Sequence, residues 1–137
     1  MKTTFGPTAA VPELDRQHRQ LFERFVFVKE TMARGGGWND LHAALQTLTQ
    51  RFEFCSSVEE ALMQIQRYPE CENHGKEHAD LLRTMHAMEK AALTTGLTQN
   101  MIGTAFAATM KHHLTQDRRY ARTLPQAGSA PGMRVSG

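Results

Sequence analysis

His74 and His78 stand four residues apart in the run HGKEH, a spacing that puts both imidazoles on one face of a helix, within reach of a single metal ion. Cys55 and Glu59 repeat that spacing earlier in the chain. His112 and Asp117 are five residues apart, which on a regular α-helix is roughly 140° around the axis. His18 lies among apolar residues in LDRQHRQLF. Imidazole, carboxylate and thiol groups all ligate metals, and burying them unpaired costs several kcal/mol each. A core that gathers four imidazoles, two carboxylates and a thiol is therefore expected to hold a metal. Any one of these residues alone reads as an ordinary helix residue, and His42 and His86 are read that way. The combination across separate segments points to a metal site.

Four segments with helical periodicity must position these side chains. The first is predicted from about Leu14 to Ala33, where Gly35-Gly36-Gly37 stops it because glycine resists helix formation. The second is predicted from an N-cap at Asn39 or Asp40 to about Arg67, closed by Tyr68-Pro69. The third runs from a few residues after Pro69 to about Thr94. The fourth runs from a Thr98 cap to about Leu124. Short connections between long amphipathic helices give an all-α, up-down-up-down four-helix bundle. Residues 1–10 are expected to form an N-terminal arm, 11–124 the domain, and 125–137, QAGSAPGMRVSG after Pro125, a disordered tail.

Composition narrows the function classes. The chain has 137 residues and a formal net charge of +2, too balanced for a surface devoted to nucleic acid or anionic membrane. No apolar run approaches the length of a membrane span, and MKTTFGPTAAVPELDRQH lacks the apolar centre of a signal peptide. With only Cys55 and Cys71, a cytoplasmic protein with free thiols is the expectation, Cys71 lying near the surface.

The residues LDRQHRQLF, VEEALM followed by YP, HGKEH and HHLTQDRRYARTL resemble the hemerythrin family, particularly single-domain bacterial hemerythrins, over about Val11 to Leu124. The resemblance implies a non-haem, carboxylate-bridged centre of two iron ions. His74, His78 and His112 would hold one iron, His18 would help hold the second, and Glu59 and Asp117 would bridge both. It implies that the partner is O2, bound reversibly at the second iron for storage, delivery or sensing. A sensor would need a protein partner.

The chain departs from the family pattern where O2 should bind. Cys55 stands in place of a histidine ligand, and three readings stay open: a thiolate ligand that shifts the metal's redox potential, a protonated thiol that leaves the second site weak, or a small buried hydrophobe. Ser56, Ala108, Thr109 and His113 replace bulkier or apolar residues, with His113 at the pocket edge, and predict a roomier, wetter cavity. These changes keep two alternatives in view. One is a di-iron enzyme reducing peroxide or nitric oxide; the other is a degenerate interaction domain holding one iron or a zinc ion.

Overall fold

A computed structural model describes residues 7–124, with side chains from residue 11 onward. Helix α1 spans Pro7–Ala33, α2 Trp38–Ile65, α3 Cys71–Leu93 and α4 Gln99–His112; a π-helical turn, His113–Asp117, and a last helical turn, α5 at Arg118–Ala121, continue the fourth arm. Consecutive helices pack against each other, and α1 also packs against α4, closing an all-α four-helix bundle. No helix is long and apolar enough to cross a membrane among the described residues. The predicted tail, 125–137, lies outside them, as do residues 1–6 of the predicted arm.

The ends of the helices follow local chemistry. At the end of α1 the Gly36 N–H reaches Thr31 O at 2.9 Å and the Gly35 N–H reaches Met32 O at 3.1 Å, a Schellman closure that requires the left-handed φ of +76° at Gly35. Gly36 has no room for a side chain, because a Cβ there would lie 2.8 Å from Thr31 Cγ2. Helix α2 closes the same way, Tyr68 N–H to Met63 O and Arg67 N–H to Gln64 O, but the left-handed position is Arg67 at φ 56°. Thr98 caps α4 as expected, its Oγ1 accepting from the Met101 N–H at 3.1 Å.

Two boundaries differ from expectation. Helix α1 begins at Pro7, inside the predicted arm, with Pro12 within the helix. The N-cap of α2 is Gly37, in extended conformation with no side-chain bond, rather than Asn39 or Asp40. Asp40 lies instead in the first turn, where its charge favours the helix's positive end.

The core is divided. One apolar cluster holds Leu21, Phe25, Leu45, Leu48, Phe52, Leu81, Met85 and Ile102 among others. A second holds Leu14, Leu62, Met63, Tyr68, Tyr120 and Leu124. Each helical arm passes from one cluster to the other: Leu14 to Leu21 on α1, Phe52 to Leu62 on α2, and Ala105 to Tyr120 along the fourth arm. The ligand-type residues His18, Cys55, Glu59, His112 and Asp117 fall between those limits, and all are buried. A polar layer thus sits between two apolar plugs, where water cannot solvate it.

Candidate metal centre

Glu59 is 1% exposed and Asp117 6%, so neither carboxylate can rely on solvent. Their oxygens are divided between two sides. Glu59 Oε1 lies 3.0 Å from His78 Nε2 and 3.4 Å from His74 Nε2, while Glu59 Oε2 lies 2.5 Å from His18 Nε2. Asp117 Oδ1 lies 2.8 Å from His74 Nε2 and 3.0 Å from His112 Nε2, while Asp117 Oδ2 lies 3.1 Å from His18 Nε2. One oxygen of each carboxylate therefore faces the three-histidine group and the other faces His18. Five donors, from Glu59, His74, His78, His112 and Asp117, all lie within 4.8 Å of one another on the first side.

These separations fit a shared ion. Two donor atoms each about 2.1 Å from one metal and roughly 90–109° apart stand about 3.0–3.4 Å from each other. His112 Nε2 and His74 Nε2 are 3.2 Å apart, within that range. On the second side, Glu59 Oε2 and both ring nitrogens of His18 are buried without a hydrogen-bond partner, despite their proximity. Buried polar atoms left that way cost about 1–3 kcal/mol each, and a bound cation removes the cost. The residues present fit a metal on both sides.

Without metal, protons supply the positive charge that the carboxylates demand. Burial pulls the His74 imidazolium down, but hydrogen bonding to Asp117 and Glu59 and their charges outweigh it, pushing its pKa to about 9. Burial likewise opposes the charge on His18 and His112, and the carboxylates, with Asp117 foremost, raise both. Burial and the Asp117 charge would raise Glu59, yet the close approach of the His18, His74 and His78 imidazoles holds it down at about 2. Asp117 is held well below the carboxylate range; burial again opposes the shift, and the surrounding histidines, His112 first, reverse it. Burial also pushes the Cys55 thiol up, against the pull of His18.

The fourth arm shows how Asp117 reaches the centre. Five residues from His112, it would point away on a regular helix. The π turn at His113–Asp117, in which the Arg118 N–H reaches back to His113 O, absorbs the extra residue and returns Asp117 to the face of His112.

Two functional residues escape sequence reading. Glu60 Oε2 accepts from His78 Nδ1 at 2.7 Å, and Glu77 Oε1 accepts from His112 Nδ1 at 2.7 Å. A carboxylate only accepts, so each Nδ1 carries a proton and each Nε2 is the atom turned to the centre, able to bind a metal in place of its own proton. Their signal was adjacency to a ligand, Glu60 after Glu59 and Glu77 before His78, which sequence alone reads as solvated charge.

All seven predicted site residues converge here, although Cys55 joins only His18 and Glu59, on the second side. His113 joins His18 and Asp117, while His42 and His86 take no part in any such group among the described residues. Both cysteines are free, and Cys71 is partly exposed as expected. The roomier cavity is not found. The internal space lined by His18, Phe22, Phe52, Cys55, Thr109 and His113 has a volume of about 10 Å³, at the lower limit for one water molecule. The reason is directional: Thr109 turns its hydroxyl to Ala105 O at 2.8 Å, and Ala108 lines an open outer groove of about 520 Å³ beside Glu77 and Lys111 instead.

The model of the hemerythrin HHE cation binding domain matches residues 9–123, nearly the whole chain. The chain belongs to that family. The four-helix bundle and the cluster of imidazoles and carboxylates make this hemerythrin-family domain a metal-binding protein. No curated protein and no solved structure matches the chain.

Proposed function

We propose that this hemerythrin-family domain holds two iron ions and binds O2, or a related diatomic or peroxide ligand, for storage, delivery or sensing. The observation that carries the reading is the division of the carboxylate oxygens. Glu59 Oε1 and Asp117 Oδ1 face three histidines while Oε2 and Oδ2 face His18, the arrangement two bridging carboxylates need. Five nitrogen and oxygen donors on one side exceed the four of a structural zinc site, which favours iron.

The chain's residues would divide the work. His74, His78 and His112 would hold the first ion, His18 would help hold the second, and Glu59 and Asp117 would offer an oxygen to each. Glu60 and Glu77 orient two of the imidazoles. When bound, ferrous iron supplies the electrons for reversible O2 binding. Leu21, Phe22 and Phe52 wall the small internal space beside the donors, which leaves little room for water and restricts any ligand there to a small one. The free thiols of Cys55 and Cys71 suit a cytoplasmic, reducing setting.

Anaerobic loading with Fe(II), followed by metal analysis and optical spectra through cycles of air and argon, tests the reading. Two irons per chain and an absorption change that reverses over several cycles are expected. One iron per chain after full loading overturns the dinuclear centre. Two irons with an irreversible change overturn O2 binding and favour the oxidoreductase alternative.

A further inference from the structure

The second side of the centre is short of donors. Five donors surround the first side, whereas the second has His18, Glu59 Oε2 and Asp117 Oδ2, with the Cys55 thiol nearby. We propose that His113 is a ligand of the second ion and supplies the imidazole that position 55 lacks. The inference rests on the two-ion reading above.

The placement of His113 supports this. Its Nδ1 is buried, has no hydrogen-bond partner, and lies 3.4 Å from Asp117 Oδ2. Its ring centroid is 4.4 Å from that of His18, and donor atoms of His18, His113 and Asp117 lie within 4.8 Å of one another. Phe22 packs edge-on against it at 5.6 Å, limiting rotation of the ring.

Backbone geometry explains how neighbouring histidines serve different ions. Successive helical residues diverge by about 100°. That splay sends His112 to Asp117 Oδ1 and His113 to Asp117 Oδ2, so the bridging carboxylate separates them. Cys55, on α2, groups with His18 on the Glu59 flank, apart from the group that His113 forms with His18 and Asp117. His113 approaches from the Asp117 flank, so a ligand has moved from the second helix to the fourth arm. Imidazole keeps the donor set nitrogen and oxygen, the type suited to iron at a carboxylate bridge, whereas a thiolate would make it softer.

The test loads the full chain anaerobically with Fe(II) and, separately, with Co(II). Ions per chain and stepwise affinities are compared for wild type, His113→Leu and Cys55→Ser. Wild type and Cys55→Ser are expected to take two ions, and His113→Leu one, with the second step weakened at least about 100-fold. Two ions in His113→Leu, with both affinities within about threefold of wild type, overturn the assignment, as does loss of the second ion in Cys55→Ser alone. Should His113→Leu fail to fold, the Co(II)-loaded wild type decides through its paramagnetically shifted imidazole N–H signals. Five coordinated histidines support the proposal and four overturn it. A wild type that takes only one ion defeats the two-ion reading itself, whereas two ions in both wild type and His113→Leu defeat this inference alone.

Discussion

Replacing Glu77 by Gln removes one negative charge from outside the donor set while leaving an amide oxygen that can still accept from His112 Nδ1, now 2.7 Å from the carboxylate. The imidazole keeps its orientation but loses the charge that makes its Nε2 a stronger donor. Partners of this kind contribute about 10–100-fold to metal affinity. The Glu77 side chain is 46% exposed, so water screens part of its charge and the lower end applies: about tenfold, or about 1.4 kcal/mol. Glu60, 37% exposed and bonded to His78, is expected to contribute a similar amount. The two carboxylates support different histidines from different helices, so Glu60→Gln with Glu77→Gln is expected to weaken the first ion about 100-fold. Competition between the protein and a chromophoric chelator for Co(II) measures this directly. Neither residue is buried, so the unfolding free energy of metal-free protein is expected to change by less than about 0.5 kcal/mol. Unchanged affinity in both single variants would refute the assigned role, as would a loss fully matched by the metal-free unfolding shift.

Other outcomes follow from the same geometry. Metal in hundredfold excess over its dissociation constant stabilises the fold by about 2.7 kcal/mol per site, so chelating both ions is expected to lower the thermal midpoint by roughly 20 °C, read by circular dichroism. Arg67→Gly relieves a left-handed residue at φ 56° and is expected to add about 0.5–1 kcal/mol in urea unfolding, after glycine's greater unfolded-state entropy is offset; a destabilised variant would count against strain there. Deleting the exposed Thr115 turns the five-residue π turn into an ordinary helical turn and should retain metal binding, whereas deleting the exposed Gly103 rotates everything after it by about 100° and should abolish it. Equal loss of binding in the two deletions would show that the π turn is not what returns Asp117 to the centre.

The bundle was legible because its signals are local and repeated. Leu14, Leu21, Phe25 and Val28 recur at helical spacing, and all four prove buried. Gly35 and Thr98 do at the helix ends what their conformational and hydrogen-bonding preferences dictate. The start of α1 was not legible: the apolar periodicity begins at about Leu14, whereas the helix begins at Pro7 and contains Pro12. The cap of α2 was missed because Asn39 and Asp40 compete in sequence with a glycine whose extended backbone alone decides the start. The donor residues were found by type and spacing, but type and spacing said nothing about which oxygen of Glu59 or Asp117 faces which histidine.

What sequence could not reach are the relations that cross between helices or depend on a local change of pitch. Glu77 sits on α3 and acts on His112 of α4; Glu60 sits on α2 and acts on His78 of α3. No periodicity within a single helix contains that information. Asp117 is the sharper case, since helical arithmetic places it on the wrong face and its role was implied only by resemblance. The resolving feature is one extra residue held in a wider turn, and the same segment begins with His113. An irregularity of five residues thus serves two purposes. It returns the Asp117 carboxylate to the centre, and it sets the His113 imidazole beside that carboxylate's Oδ2, away from the flank where Cys55 stands. On the two-ion reading, Cys55 of the second helix and His113 of the fourth arm would be two halves of one rearrangement, and substituting either position alone tests only half of it. Combining Cys55→His with His113→Leu is therefore expected to restore the two-ion stoichiometry that His113→Leu loses, because it moves the imidazole back across the bridge.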